Sequence, residues 1–342
     1  MPAPLLEQRA DAPVLVTGAS GFIGGAVAQR LIEGGHRVRA LVRRPDEALA
    51  RAGAVVCLGD IRDPERVRET VDGCALVFHL AAKPSLGGPR GEFEAVNVHG
   101  TQHVVDACRA GGAKFLVHTS TPSVVFTGRP LRGANEQVAL AGTRSLYSET
   151  KAAAEQVVIG ANGPQLTTVA LRPHAVWGPG DRHLMPRLIE RAKRGRLRRI
   201  GHTRPVIDLT YIDNAVDAHI LAANVMTTDP GRVGGRAYFV TDGAPVRLWE
   251  VVERVVALVG YSVGHRPVPR PLAYAAAYAI EAVWRAGRLR SEPPITRYLL
   301  DLISQDHWFD ISAARRDLGY EPRVRLEEGL ARMRESLQRA GL

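Results

Sequence analysis

Val14-Leu-Val-Thr-Gly18-Ala-Ser20-Gly21-Phe22-Ile23-Gly24 is the stretch on which the fold turns. An apolar run leads into a glycine-rich turn, and the turn leads into the helical period of Phe22–Glu33. Glycine at 18 permits a tight turn, glycine at 21 lets a pyrophosphate approach the backbone, and glycine at 24 lets the helix pack against the strand. The free amides and the dipole of such a helix start favour phosphate groups. Three glycines alone are a weak signal; their position at the start of a βαβ unit makes them specific. Gly18, Ser20, Gly21, Phe22, Ile23 and Gly24 are therefore expected to contact a dinucleotide.

Outward from this loop, strand and helix signals alternate. Apolar runs at Val38–Val42, Ala54–Leu58, Ala75–Leu80, Lys114–Thr119 and Thr167–Leu171 have the character of strands buried on both faces. Helical period covers Glu92–Ala110, and Gly34-Gly35 stops the first helix. The alternation predicts an α/β fold, a doubly wound parallel sheet with right-handed crossovers. After Pro173 the pattern loosens, and a substrate lobe is expected there. Strands are expected at Val206–Tyr211 and Ala237–Thr241, and helices at Asp213–Ala223, Trp249–Val259, Pro271–Arg285 and Leu326–Gln338. The expected division is a loose tail at 1–12, a nucleotide-binding domain at 13–175 and a mostly substrate-binding lobe at 176–342, with segments around 206–225 returning to the first domain.

The 342 residues are 45% hydrophobic and 23% charged, enough to bury a sizeable core. The formal charge of +10 would suit an anionic partner. Its densest cluster is Arg191, Lys193, Arg194, Arg196, Arg198 and Arg199, readable as a solvated face or as a grip on an acidic substrate group. No aromatics interleave with it, so nucleic acid is not expected. Three cysteines at wide spacing, Cys57, Cys74 and Cys108, suggest neither disulfides nor zinc, and the histidines form no metal set. A cytoplasmic, reducing location is expected, since no signal-length apolar run precedes Val14. Leu272–Trp284 is the most lipid-like segment, shorter than the roughly 20 residues that span a bilayer. It can lie on a membrane or wall an apolar pocket.

An acid at the end of the second strand usually binds the ribose of NAD. Here Val42 is followed by Arg43 and Arg44, which suit a 2′-phosphate, so NADP(H) is favoured and NAD(H) is the alternative. Tyr147-Ser-Glu-Thr-Lys151 places a phenol and an ammonium on one helical face. A cation near a phenol favours its ionised form, and such a tyrosine can exchange a proton with a carbonyl oxygen. The strand end His118-Thr119-Ser-Thr121-Pro-Ser123 offers hydroxyls to the same oxygen.

TGASGFIG, HLAAK, that hydroxyl-rich strand end, YSETK, LRPHAVWGPGD, TYIDN and DLGYEP together resemble the extended short-chain dehydrogenase/reductases over nearly the whole chain. Ala81-Ala82-Lys83, Asn97-Val-x-Gly-Thr101, Trp177-Gly-Pro-Gly-Asp181 and His307-Trp308 resemble the 3β-hydroxysteroid dehydrogenase-like branch, and within it the reductases of bacterial long-chain olefin formation. The resemblance implies Tyr147 as proton donor, Lys151 as its partner and Thr121 as the third hydroxyl, with Ser123 the second candidate. It implies cofactor contacts at Asp60 and Ile61, at His79, Leu80, Ala81, Ala82 and Lys83, and at Thr119 and Pro173. Asn97 is a further candidate, with a backbone-satisfying amide as the other reading. The implied substrate is a hydrophobic β-keto acid with two long alkyl chains, reduced at C3. A 3β-hydroxysteroid or sterol dehydrogenase is the alternative, a non-catalytic NADP-binding sensor the alternative of another class. Self-association is a further expectation, and the resemblance adds association with other enzymes of the olefin pathway.

Overall fold

The computed structural model describes residues 12–141, 145–181, 184–287, 289 and 291–341. All but the last residue of the expected tail lies outside them. Seven strands form the main sheet: β1 (Val14–Thr17), β2 (Val38–Val42), β3 (Val55–Leu58), β4 (Leu76–His79), β5 (Phe115–Thr119), β6 (Thr167–Pro173) and β7 (Arg236–Val240). Every pairing is parallel, in the order β7-β6-β5-β4-β1-β2-β3. The winding reverses between β1 and β4, and in such sheets ligands bind beyond the strand ends at that reversal.

Both faces of the sheet are covered. Helices α1 (Phe22–Glu33) and α4 (Ile212–Thr228) bury Val27, Leu31 and Val216 against Val14, Val16 and Ala40. On the other face α2 (Gly100–Gly111) buries Val104, Val105 and Cys108 against Leu15, Val77 and Leu116. The long helix α3 (Leu146–Gly160) carries the Tyr-x-x-x-Lys pair; Ser145 caps it, its hydroxyl accepting the Ser148 amide at 3.0 Å. The C-terminal half contributes α5 (Arg270–Ala286) and α6 (Arg297–Ser304), built around small cores that include Trp249 and Leu300.

Four elements depart from expectation. β3 is not buried on both faces, since Val55 is 61% exposed; it is an edge strand with no neighbour beyond it. The single helix expected at Glu92–Ala110 is interrupted by a π-helical segment, Glu94–His99, which sets Asn97 inside the protein. The strand expected at Val206–Tyr211 is two short pieces in different sheets. They part at Asp208, a buried carboxylate that accepts the Phe309 amide at 2.7 Å. Finally, β7 joins the main sheet from the C-terminal half, so the return extends beyond 206–225. No helix among the described residues is long and apolar enough to cross a membrane.

Candidate active site

The glycine loop is shaped as its sequence demands. Gly18 has φ +69°, and a Cβ there would lie 2.7 Å from the Ala81 nitrogen. A Cβ on Gly24 would stand 2.3 Å from the Gly18 carbonyl, so strand and helix close up only with glycine. Gly21 begins α1 without a side-chain cap, leaving the first-turn amides of Phe22 and Ile23 free for phosphate oxygens. A cleft of about 720 Å³ opens over Ala19, Ser20, Gly21 and Phe22, bounded by Asp46, Pro179 and Gly180. The residues present thus fit a dinucleotide pyrophosphate.

Beside the loop, Arg43 and Arg44 at the end of β2 are exposed. Asp60 follows β3, and the Arg62 guanidinium grips both its oxygens, at 3.0 and 2.8 Å. This hydrogen bonding holds the Asp60 carboxyl below its usual range against the cost of burial, and Arg43 adds a smaller pull. Arg43, Asp60 and Arg62 therefore share one corner. Ile61 is buried, its side chain in the space a Cβ at Gly100 would need.

The segment after β4 divides. His79 is fully enclosed, hydrogen-bonded to Thr17 at 2.8 Å and Thr101 at 2.9 Å, so its side chain braces the sheet instead of facing a ligand. The Leu80 and Ala81 amides donate to the Thr17 hydroxyl, each at 3.2 Å, holding this backbone close to Gly18. Leu80, Ala81, Ala82 and Lys83 are only partly buried. Asn97 accepts the Lys83 amide at 2.7 Å and donates to the Thr150 hydroxyl at 2.9 Å, so one amide ties this segment to α3.

Lys151 is 2% exposed and donates through Nζ to the Thr119 carbonyl at 2.7 Å and to His118 Nε2 at 3.1 Å. Burial pushes its pKa down to about 7, opposed by the Glu155 carboxylate one turn on. The Tyr147 phenol is raised well above its ordinary value by burial and by Tyr298, against a hydrogen bond from Thr121. Burial, not the nearby ammonium, sets the phenol's charge state. Thr121 sits beside Tyr147, and the Ser123 hydroxyl donates back to it at 3.1 Å, so both candidate hydroxyls reach this corner. The Thr119 hydroxyl instead meets His219 of α4 at 2.8 Å, and Pro173 is buried at the end of β6 beside Val240.

Several residues were not read from the sequence. Tyr298 arrives from α6, far along the chain; burial raises its phenol, and the neighbouring Ser148 and Ser123 hydroxyls pull it back. Its ring meets Phe126 edge-on, and Phe126 meets His307, which lies 3.0 Å from His174. Behind Lys151, Glu155 forms a buried ion pair with Arg172 at 2.5 Å and accepts the Ser120 hydroxyl. An imidazole inside the apolar run Phe115–Thr119 was the available signal for His118. In the basic cluster Arg194 pairs with Glu190 at 2.6 Å, Arg199 pairs with Glu253 and Arg191 donates to the Pro294 carbonyl at 2.6 Å, while Arg187 just before it pairs with Glu292 at 2.7 Å.

The sequence matches the 3-beta hydroxysteroid dehydrogenase/isomerase family over residues 15–270. It is 42% identical to a 2-alkyl-3-oxoalkanoate reductase of Stenotrophomonas maltophilia over 94% of this chain and 98% of that protein. A protein of the same name from Shewanella oneidensis is 39% identical over 94% of this chain and 85% of its own length. Among solved structures, MoeE5 in complex with UDP-glucose and NAD superposes with a TM-score of 0.73 at 27% identity, covering 96% of this chain and 100% of that one. With a match spanning most of the sheet and the phosphate loop, the chain belongs to the 3-beta hydroxysteroid dehydrogenase/isomerase family and is an NAD(P)-dependent oxidoreductase.

Proposed function

We propose that the protein is an NADP(H)-dependent reductase of hydrophobic 2-alkyl-3-oxoalkanoates, giving the 2-alkyl-3-hydroxyalkanoate. The observation that carries this is full-length similarity, at 42% identity, to a protein named for that reaction. Bound NADPH would supply the hydride to C3. Tyr147, kept protonated by burial, gives its proton to the developing alkoxide. Thr121, with Ser123 behind it, hydrogen-bonds the same oxygen. Lys151 holds positive charge beside that proton path, anchored on Thr119 and His118. Arg43 and Arg44 are assigned to the 2′-phosphate on their exposure at the end of β2.

The test is NADPH oxidation with purified protein across 2-alkyl-3-keto acids, 3-ketosteroids and nucleotide sugars. Turnover confined to the keto acids supports the reading. Preference for the ketosteroid would move the protein to the other activity named in its family.

A further inference from the structure

Helix α5 exposes large apolar side chains that a soluble surface would ordinarily bury. An ordinary amphipathic helix turns its large apolar side chains to the core and polar ones to water. Here the fully inward residues are Ala273 and Ala277, against Ile200 and Leu300. Tyr274, Ile280 and Trp284 are half-buried, but three large side chains point outward: Leu272 is 62% exposed, Tyr278 63% and Val283 59%, and Leu289 beyond the helix end is 42% exposed. Pro271, Ala275, Ala276, Ala279, Ala282 and Ala286 fill the exposed positions between them. Among the described residues this outward face carries no acidic group, because Glu281 is turned to Arg297, accepting its backbone amide at 2.7 Å and its guanidinium at 2.8 Å. Contiguous exposed apolar surface of this kind marks an interaction site.

Charge identifies the occupant. Arg270 opens the helix and Arg285 lies in its last turn, so an exposed arginine stands at each end of the apolar face. A second copy docking face to face would bring these like charges together in a molecule already at +10. An anionic phospholipid surface satisfies both features, taking the apolar side chains at the acyl boundary and the guanidiniums among headgroup phosphates. We infer that α5 lies flat on anionic membranes as a peripheral anchor. At 17 residues it is about 25 Å long, suited to lying along an interface. This inference stands independently of the substrate proposed above.

The experiment is flotation of the full chain with vesicles of phosphatidylcholine alone or mixed equally with phosphatidylglycerol. The protein should float with the anionic vesicles and release as salt rises, binding the neutral ones at least tenfold less. The variant Leu272→Ser/Tyr278→Ser/Val283→Ser should lose tenfold or more of that binding while keeping its melting temperature and NADPH binding, which shows that it folds. Arg285→Glu should weaken anionic binding alone. Equal binding of the wild type to both vesicle types, or unchanged binding by the triple variant, overturns the inference. So does a dimer in light scattering that the triple variant converts to a monomer without vesicle binding by either form.

Discussion

Tyr147 and Lys151 stand one turn apart on α3, and burial drives both towards their neutral forms: the phenol above its usual value, the ammonium down to about 7. A protonated phenol is the state a proton donor needs, so the site is poised for reduction at neutral pH. Replacing Tyr147 by Phe keeps the ring and removes the donor; kcat should fall about 10²–10⁴-fold with NADPH affinity retained. A variant retaining half the rate would remove Tyr147 from the mechanism. For Lys151 the sign follows from its lowered pKa. The cation is present below about 7 and is lost above it, so reduction should slow as pH rises through that value. A reductive kcat that climbs from pH 7 to 9 would contradict the assigned role. At the cofactor corner, Arg43→Ala/Arg44→Ala should weaken NADPH and spare NADH. Charge-assisted hydrogen bonds are worth about 1.5–3 kcal/mol, so the preference should move tenfold or more by titration.

At the level of elements, what could be read from the sequence and what could not separate on a physical line. The bounds of β1, α1 and β2 follow from local features: an apolar run, glycines with fixed duties, a glycine stop. The exposure of β3 depends on having no strand beyond it, and the π-helical turn at Asn97 depends on Lys83 and Thr150 waiting to be bonded. Both are relations between distant segments and leave no local period. Asp208 is the clearest case, a polar interruption whose meaning is the Phe309 amide a hundred residues away. Burial raises its pKa to about 7. A carboxyl whose folded pKa lies above its unfolded value contributes stability at low pH and loses it as pH rises through the folded value. Asp208→Asn keeps an acceptor for Phe309 and removes the charge. It should therefore raise the melting temperature by a few degrees at pH 8 relative to wild type, with the advantage fading towards pH 4. An advantage of equal size at both pH values would mean that the carboxylate's ionisation plays no part.

Across the whole molecule, the candidate site is assembled from both halves of the chain. Phosphate loop, Lys151 and the hydroxyl-rich strand end belong to the parallel sheet, and these were legible because the motif residues cluster in sequence. Tyr298, brought in by α6, was not, because only the fold carries it to Ser123, Ser148 and Tyr147. The C-terminal half therefore closes the reaction corner with Tyr298 and His307, whose rings meet Phe126 of the first half edge-on in one aromatic wall. Such a wall rewards apolar surface over charge, and three arginines in or beside the basic cluster, Arg187, Arg194 and Arg199, already face carboxylates of the protein. Affinity for a long-chain β-keto acid should then come mainly from its alkyl chains. Each methylene buried is worth about 0.8 kcal/mol, so kcat/KM should rise roughly three- to fourfold per carbon until the site is full. Esterifying the carboxylate should cost less than adding two or three carbons gains. The measurement is a chain-length series of 2-alkyl-3-keto acids and their methyl esters beside one 3-ketosteroid, all with NADPH at matched concentration. A flat series with fast steroid turnover would reject the keto-acid substrate and leave the oxidoreductase standing. A steep series abolished by esterification would instead place an unpaired cation at the substrate's carboxylate.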